Sequence, residues 1–357
     1  LTDAQYKQYG TKNSRRIVHK HDQEDRPMDR KFLPLSNRPS IHYDPNVDVL
    51  LEMLGPYPDL YEKEISEHFI DTIVYNDKSS SNIAFYRIVD NIGQDCLVLF
   101  DLPYELARIS IGDICEYVIQ LLDRDYYVTF LWDTFWITNY TTHLKNHIEH
   151  PALIYGYDRR KQIFFVQDYF DFFTWGRQEV TFADVRTSYT RGERPFYPGH
   201  YAMLYAHILY CKKIGNPSAP PPNLQLIRQK LQNFLMNHSY STLEGACFGI
   251  QFLDILGKRY QANPEYISLK HCHFIVVHMQ LMLCRLKVLQ KHQPHNSQQY
   301  AVLIAQLNDL LTDVRKTEMR ILKSQIASRY LSMDYAARLK DIKSRYAAII
   351  GTMIDII

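Results

Sequence analysis

The sequence predicts an α+β protein in which a β-containing first part is followed by an all-α remainder. Short β-type runs bounded by turn residues are concentrated before residue 199, and apolar residues at helical spacing dominate after it. The 357 residues are also enough for two domains. We therefore expect a polar N-terminal arm at 1–32, an α+β domain at 33–199 and a helical bundle domain at 200–357.

Composition and charge indicate a globular chain without a strong electrostatic bias. Hydrophobic residues make up 46% of the chain and charged residues 22%, which is enough apolar surface to build a core. The 41 Lys and Arg against 39 Asp and Glu give a net charge of +2, so no overall field favours nucleic acid. No apolar run approaches the roughly 18 residues of a membrane span, and the first residues do not resemble a signal peptide. We expect a cytoplasmic protein that binds neither nucleic acid nor membrane.

The first predicted helix follows the charged arm. Asp44 is a plausible N-cap, Pro45 occupies the first helical position, and apolar residues recur at helical spacing until Gly55 ends the run. His42 and Tyr43 therefore lie at the N-terminus of this helix. That position carries a partial positive charge and free N–H groups, which can lower the pKa of a nucleophile or stabilise an oxyanion.

Shorter elements are predicted next, before the central strands. A second helical pattern covers 61–73, β-type runs cover 84–89 and 96–100, and a third helical pattern covers 111–122. These elements complete the first half of the α+β domain.

Three β-type runs follow, and the last two form a predicted hairpin. The runs are 128–132, 152–157 and 163–166. His150 stands immediately before the first hairpin strand, and Asp168 stands immediately after the second. Because a tight turn brings the ends of two antiparallel strands side by side, these residues, 18 positions apart in the sequence, are predicted to reach hydrogen-bonding distance. An imidazole oriented by a carboxylate is the general-base half of a catalytic triad.

The remainder of the chain predicts a helical bundle. The helical patterns cover 201–212, 224–237, 243–259, 269–292, 300–330 and 334–357. The six cysteines form no CxxC pair, and the histidines at 271, 273 and 278 lie on one apolar helical pattern. Core histidines and buried thiols are therefore favoured over a metal site. An exposed face of the bundle offers a surface for a homodimer or for a partner.

The order of these elements resembles the butirosin biosynthesis protein H family, whose N-terminal domain is related to C39-type papain-like cysteine peptidases. The resemblance rests mainly on the pattern His-x-Ala-x-x-x-Gly-Tyr-Asp, which begins at His150, and on the next strand, which ends in Asp168 and an aromatic residue. The helical segments CFGIQFLDIL and HFIVVHMQLMLCRLKVL add weaker support. The resemblance covers roughly 33–350 and implies a papain-like domain followed by an all-α helical bundle.

The resemblance also implies a chemistry. Members of that family are regarded as acyltransferases or thioesterase-like enzymes of natural-product biosynthesis, which take an acyl or peptidyl group from the phosphopantetheine of a carrier protein or non-ribosomal peptide synthetase. Carried over to this chain, His150 is the base and Asp168 is its orienting carboxylate. The cysteine of the family's His-Cys pair is replaced, because the matching pair here is His42-Tyr43. No cofactor is expected beyond the phosphopantetheine that presents the substrate.

The missing cysteine leaves three interpretations. In the first, which the intact His150 and Asp168 favour, the protein is an enzyme without a covalent acyl intermediate, and His150 activates the substrate's own nucleophile while Tyr43 donates a hydrogen bond to a carbonyl or oxyanion. In the second, the papain-like shell has lost catalysis and serves as a scaffold for a carrier protein or synthetase. In the third, Cys96 or Cys115 supplies the nucleophile.

Six residues near these positions are expected to line the substrate site. Arg177 is a candidate to meet the phosphopantetheine phosphate, because a guanidinium binds phosphate with two parallel hydrogen bonds. The others are aromatic or polar residues beside the predicted helix N-terminus or at the ends of the central strands. The six are His42, Asp133, Trp136, Tyr169, Trp175 and Arg177.

Overall fold

The computed structural model describes residues 28–36, 41–75, 83–85, 97–172, 174–192, 207–215, 219–238, 246–262, 269–326 and 334–357. This part of the chain is a mixed α+β structure with an antiparallel sheet and a C-terminal helical region. The α+β class predicted from the sequence is confirmed. Most of the predicted arm, at 1–27, and Cys96 lie outside the described residues.

The described strands form two antiparallel sheets. In chain order, β1 to β10 are Arg30–Phe32, Thr72–Tyr75, Ile83–Phe85, Leu97–Pro103, Tyr127–Asp133, Glu149–Asp158, Ile163–Tyr169, Trp175–Thr181, His207–Ile214 and Ala246–Phe248. The larger sheet has the order β4-β9-β5-β6-β7-β8, and β1 pairs with the last residues of β6. The smaller sheet has the order β10-β2-β3.

The described helices cover both faces of the larger sheet and form the C-terminal region. In chain order, α1 to α10 are Pro45–Leu54, Pro58–Glu67, Tyr104–Ser110, Ile114–Asp123, Phe182–Arg191, Leu224–Met236, Phe252–Ala262, Leu269–His292, Ser297–Ile326 and Tyr335–Ile356. A short 3-10 helix, η1, covers Thr134–Trp136.

Strand alternation assigns two different faces to the sheet beside the candidate site. Asp168 and Tyr169 are consecutive residues of β7, so their side chains point to opposite faces. Phe164 lies on the Asp168 face, where its ring packs 4.5 Å from that of Phe182, the first residue of α5. Tyr169 lies on the other face, where its hydroxyl donates to Asp48 of α1. The helices α1 and α5 therefore cover opposite faces of the sheet.

Helix α1 lies between two hydrophobic cores, which explains why apolar residues surround it. Its residues Val49 and Met53 pack into the core of the larger sheet. Leu50 and Leu54 pack into a second core, which is formed with α2 and the C-terminal helices. A helix that is apolar on more than one face is expected to be buried in this way.

Gly156, part of the pattern that begins at His150, has a structural reason to be glycine. A Cβ at this position would lie 2.5 Å from the carbonyl oxygen of Lys31 in β1. Only glycine therefore allows β1 to approach β6 in the observed register, in which Gly156 pairs with Phe32. The last residues of the predicted polar arm, Arg30–Phe32, are thus a strand of the sheet.

The second core holds a fully buried arginine, Arg285 of α8, which contacts the C-terminal end of α2. The Arg285 side chain donates to the carbonyl oxygens of Ser66 at 2.8 Å, Ile65 at 2.8 Å and His68 at 2.5 Å. These are carbonyl groups that the end of a helix leaves without intrahelical donors, so the buried charge serves as a C-terminal cap.

Most of the helical segments predicted after residue 199 are confirmed, with two errors. The patterns at 224–237, 269–292, 300–330 and 334–357 correspond to α6, α8, α9 and α10. The helix predicted at 201–212 is wrong where the structure describes it, because His207–Ile214 is the strand β9.

The error at β9 has a physical reason. A short apolar run is compatible with both helix and strand spacing, and pairing with β4 and β5 decides in favour of a strand here. A smaller error of the same kind affects Ala246–Phe248, which pairs with β2 before α7 begins. The division of the chain at residue 199 stays a prediction, although β9, which lies beyond it, completes the larger sheet.

Helix α8 is both long and apolar. By length and composition alone, Leu269–His292 could cross a membrane, but 72% of its most apolar window is buried inside the described fold. This degree of burial is also found in the core helix of a soluble protein.

Candidate active site

The sequence-predicted pair His150 and Asp168 is formed. His150 Nδ1 lies 2.8 Å from Asp168 Oδ2. His150 stands near the start of β6, directly opposite Trp132 of β5, and Asp168 is the penultimate residue of β7. Both residues lie inside the strands rather than just beyond them, and they occupy diagonal positions on one face of the sheet. The turn between β6 and β7 sets the register of the first pairs, and a β-bulge between Ile154 and Gly156 then shifts it by one residue. This shift places His150 and Asp168 on the same face, where the imidazole reaches the carboxylate.

The imidazole is partly accessible, whereas its carboxylate partner is buried. The His150 side chain is 14% exposed and the Asp168 side chain is 0% exposed. Phe172 presents its ring to the imidazole at right angles, with ring centroids 5.5 Å apart. Among the described residues, no side chain or backbone group forms a hydrogen bond with His150 Nε2. This nitrogen is therefore the one that a substrate can reach.

A buried tyrosine and a buried tryptophan support the pair from the protein interior. The hydroxyl of Tyr140 donates to Asp168 Oδ2, the same oxygen that contacts His150. The indole nitrogen of Trp132 in turn donates to the Tyr140 hydroxyl oxygen at 3.0 Å. Burial and the negative charge of Asp168 raise the pKa of Tyr140 well above its ordinary value, so the phenol keeps its proton.

The predicted nucleophile position at the start of α1 is arranged differently from the expectation. The hydroxyl of Tyr43 donates to the carbonyl oxygen of Ile83 in β3. Its ring packs against Phe85 and Phe274, with centroids 6.2 and 5.0 Å away, in the core of the C-terminal helices. Tyr43 therefore does not point at His150, and the expectation that it donates a hydrogen bond in the active site is wrong for this structure.

The reason is the face on which α1 lies. The buried carboxylate of Asp48, in the first turn of α1, accepts hydrogen bonds from the Tyr43 backbone N–H, at 3.2 and 3.3 Å, and from the hydroxyl of Tyr169. Burial raises the pKa of Asp48 well above its ordinary value. Because Tyr169 and Asp168 point to opposite faces of β7, the N-terminus of α1 and the His150–Asp168 pair lie on opposite faces of the sheet.

Three of the predicted substrate-binding residues cluster on the α1 face. The ring of Trp175 lies 4.9 Å from that of Tyr169 and 6.1 Å from that of His42. The carbonyl oxygen of His42 contacts His273 Nε2 of α8 at 2.7 Å. Burial, with a smaller contribution from His273, lowers the pKa of His42. The structure thus brings these aromatic residues together, but across the sheet from His150.

Arg177, the predicted phosphate ligand, is engaged with other protein groups. Its guanidinium donates to the carbonyl oxygen of Ser36 at 2.9 Å and to the side chain of Gln167 at 3.3 Å, and it lies 3.6 Å from Glu52 of α1. The side chain is 43% exposed. These contacts tie β8 to α1 and account for the arginine without a ligand.

The two remaining predicted residues, Asp133 and Trp136, lie at η1. Asp133 forms a second histidine–carboxylate pair, with His147. Asp133 Oδ2 contacts His147 Nδ1 at 2.6 Å, and Asp133 Oδ1 accepts the Phe135 backbone N–H at 3.0 Å. The His147 ring stacks on Phe135, with centroids 4.0 Å apart and an interplanar angle of 11°. Trp136 packs edge-on to the ring of Phe135. Asp133 and Trp136 therefore belong to this second cluster.

Two cysteines and a histidine outside these clusters, Cys115, Cys272 and His278, lie in buried structural environments. Burial raises the pKa of Cys115 to about 12 and that of Cys272 to about 12, so neither thiol ionises easily. Both ring nitrogens of the buried His278 have protein partners, the Tyr346 hydroxyl and the Ile70 carbonyl. Within the described residues, no group of three or more His, Cys, Asp or Glu side chains could hold a metal ion. The expected core role is confirmed for His278.

Sequence reasoning missed Tyr140, Trp132 and His147 as members of these two clusters. Tyr140 lies in a loop after η1 and follows no periodic pattern, so nothing in the local sequence connects it to Asp168. Alternation along β5 places Trp132 on one face of the sheet, but pairing with β6 is needed to place it beside His150.

No model of a known protein family matches this chain, and no curated protein matches it either.

Proposed function

We propose that this protein is an enzyme of natural-product biosynthesis that acts on an acyl or peptidyl thioester presented by a carrier protein. In this proposal His150 is a general base and Asp168 orients it. The supporting observation is the 2.8 Å contact of His150 Nδ1 with a fully buried carboxylate, which leaves the other ring nitrogen without a partner among the described residues. The choice of a thioester substrate rests on the resemblance to the butirosin biosynthesis protein H family alone.

The proposed reaction uses the nucleophile of the acceptor substrate. Nε2 of His150 removes a proton from an amine, an alcohol or water while that group forms a bond to the thioester carbonyl carbon. The carbon–sulfur bond then breaks, and the imidazolium returns the proton to the departing thiolate. The Asp168 carboxylate stabilises the imidazolium that exists between these two proton transfers.

Two observations favour a substrate nucleophile over one supplied by the protein. Tyr43 already donates its hydroxyl to Ile83, on the side of α1 away from His150. Cys115 is buried, its Sγ lies 3.5 Å from the carbonyl oxygen of Phe182, and its raised pKa disfavours a thiolate. Cys96 lies outside the described residues. The proposed enzyme therefore forms no covalent acyl intermediate on Tyr43 or Cys115.

A papain-like identity for the sheet-containing half is part of the same proposal. Its support is the chain order, in which α1 comes first, His150 follows on β6, and Asp168 follows on β7. The position of α1 is a departure, since its N-terminus lies across the sheet from the pair. A cytoplasmic location and a homodimer through the helical region also remain proposals.

A second candidate function is a scaffold that binds a carrier protein or synthetase without catalysis. The observation that favours it is the closed N-terminus of α1, where the resembling family holds its nucleophile. Here the backbone N–H of Tyr43 and the hydroxyl of Tyr169 both bind Asp48, and the carbonyl oxygen of His42 binds His273. A protein that has lost its nucleophile can retain His150 and Asp168 as part of its core.

One assay separates the two candidates. The purified chain is given an acyl-pantetheine thioester with amine and alcohol acceptors, and thiol release is followed with a thiol-reactive dye. We expect release to require His150, with a loss of about 10²- to 10⁴-fold in His150→Gln. Thiol release that is equal in the two proteins would reject the proposed enzyme. Tight binding of an acylated carrier protein with no release in either protein would instead support the scaffold.

A further inference from the structure

The hydrogen bonds that lead to His150 have a defined direction. An indole N–H can only donate, so the oxygen of Tyr140 must accept from Trp132 Nε1, which lies 3.0 Å away. The O–H of Tyr140 is then free to donate, and Asp168 Oδ2 is the acceptor in contact with it. The direction runs from Trp132 through Tyr140 to Asp168.

The same direction determines where the proton of His150 lies. Asp168 Oδ2 accepts from Tyr140, so it also acts as an acceptor toward His150 Nδ1, 2.8 Å away. Nδ1 therefore carries the proton, and the lone pair of the neutral imidazole is on Nε2. A free histidine has no such constraint on its tautomer.

Asp168 has few other donors available. Its side chain is 0% exposed, and its second oxygen, Oδ1, has no hydrogen-bond partner among the described residues. A buried carboxylate stays ionised only when donors or positive charges replace the lost water. Tyr140 and His150 are thus the groups that stabilise the charge of Asp168, and Tyr140 is the one of them that takes no part in the proton transfer.

We infer that Tyr140, oriented by Trp132, is a positioning residue that keeps Asp168 ionised and holds the proton of His150 on Nδ1. This deepens the proposed function and rests on it only for the catalytic use of the Nε2 lone pair. The protonation states themselves are properties of the resting protein, and they can be measured without a substrate.

The test is a pH titration of the His150 ring nitrogens by ¹⁵N NMR, with the signals assigned by their absence in His150→Gln. In the native chain we expect neutral His150 to show a protonated Nδ1 and an unprotonated Nε2. Tyr140→Phe removes a donor from the deprotonated pair and so raises the midpoint for proton uptake by about one pH unit, a tenfold change in proton affinity. Trp132→Phe should raise it by less, because Tyr140 stays in place but loses its orienting donor.

A matched control uses a different core tyrosine, Tyr157, which lies on β6. Tyr157 is buried, and its hydroxyl donates to Asp123 Oδ1 at 2.5 Å. Tyr157→Phe makes the same chemical change away from the pair, so the His150 midpoint should not move. Such a control separates loss of a specific donor from general loosening of the core.

Two results would overturn the inference. One is a native neutral His150 that carries its proton on Nε2. The other is a folded Tyr140→Phe protein whose midpoint is unchanged or lowered. Neither result depends on turnover: the expected titration in a protein that releases no thiol would reject the proposed enzyme and leave the role of Tyr140 intact.

Discussion

Two histidine–carboxylate pairs lie near the same end of β5 and β6, and they differ in the groups that contact the carboxylate and the imidazole. His150 Nδ1 is 2.8 Å from Asp168, and His147 Nδ1 is 2.6 Å from Asp133. The Asp168 side chain is 0% exposed and takes a second hydrogen bond from Tyr140. The carboxylate of Asp133 is also buried, but it uses its second oxygen as the N-cap of η1.

The imidazoles also differ in what surrounds them. The His147 side chain is 31% exposed, more than twice the 14% of His150, and one face of its ring is covered by Phe135. An N-cap and a stacked aromatic ring explain Asp133 and His147 as local structure. A short contact between imidazole and carboxylate is therefore insufficient to identify a catalytic pair, and the use of the second carboxylate oxygen is more informative.

The largest expected effect separates the two histidines by activity. If the proposed enzyme is correct, His150→Gln reduces thiol release from an acyl-pantetheine thioester by about 10²- to 10⁴-fold. His147→Gln keeps a polar side chain beside Asp133 and should change the rate by less than about threefold, because the Asp133 carboxylate it contacts is the N-cap of η1. Rates measured for both variants under saturating thioester make the comparison. Equal losses in the two variants would show that the pairs are not functionally different.

A third histidine, His278, makes the stability of the whole fold depend on pH, and this dependence must be known before either pair is compared at different pH values. Burial lowers the pKa of His278 to about 4, below the ordinary value of 6.5. Below pH 6.5 the unfolded chain binds a proton at His278 that the folded chain does not, so stability is lost as the pH falls from 6.5 to about 4. The difference of 2.5 pH units corresponds to roughly 3 kcal/mol of unfolding free energy.

Urea unfolding at a series of pH values checks this expectation. His278→Gln cannot titrate, so its stability should depend less steeply on pH in this window than that of the native chain. His68, whose pKa burial lowers to about 3, contributes a slope of the same sign in both proteins. An unchanged slope in His278→Gln would contradict the assignment.

The smallest expected effect separates the two carboxylates by stability. Asp168→Ala leaves the Tyr140 hydroxyl and His150 Nδ1 without an acceptor in the protein interior, which costs about 2–3 kcal/mol. Asp133→Ala removes an N-cap and a contact to a partly exposed histidine, which costs about 1 kcal/mol. The free energies of unfolding in urea, with the slopes held common, measure both. A loss for Asp133→Ala as large as that for Asp168→Ala would remove the structural distinction between the pairs.

The sequence was most informative where interactions are local or strongly periodic. The long patterns at 269–292 and 334–357 predict α8 and α10 closely, because a helix satisfies its hydrogen bonds within a few residues. The proximity of His150 and Asp168 was predictable because a tight turn joins their strands. That both side chains lie on one face depends on the β-bulge between Ile154 and Gly156, which the sequence did not predict.

Only the tertiary structure decided the features that depend on distant segments. Pairing with β4 and β5 makes His207–Ile214 a strand, and packing between two cores places α1 on the face of Tyr169. The support of Asp168 by Tyr140, 28 residues away along the chain, follows from a loop folded back over the sheet. The tight turn thus indicated from the sequence that His150 and Asp168 lie near each other. The β-bulge in β6 decided that they share a face, and long-range packing decided what holds the pair and which way α1 faces.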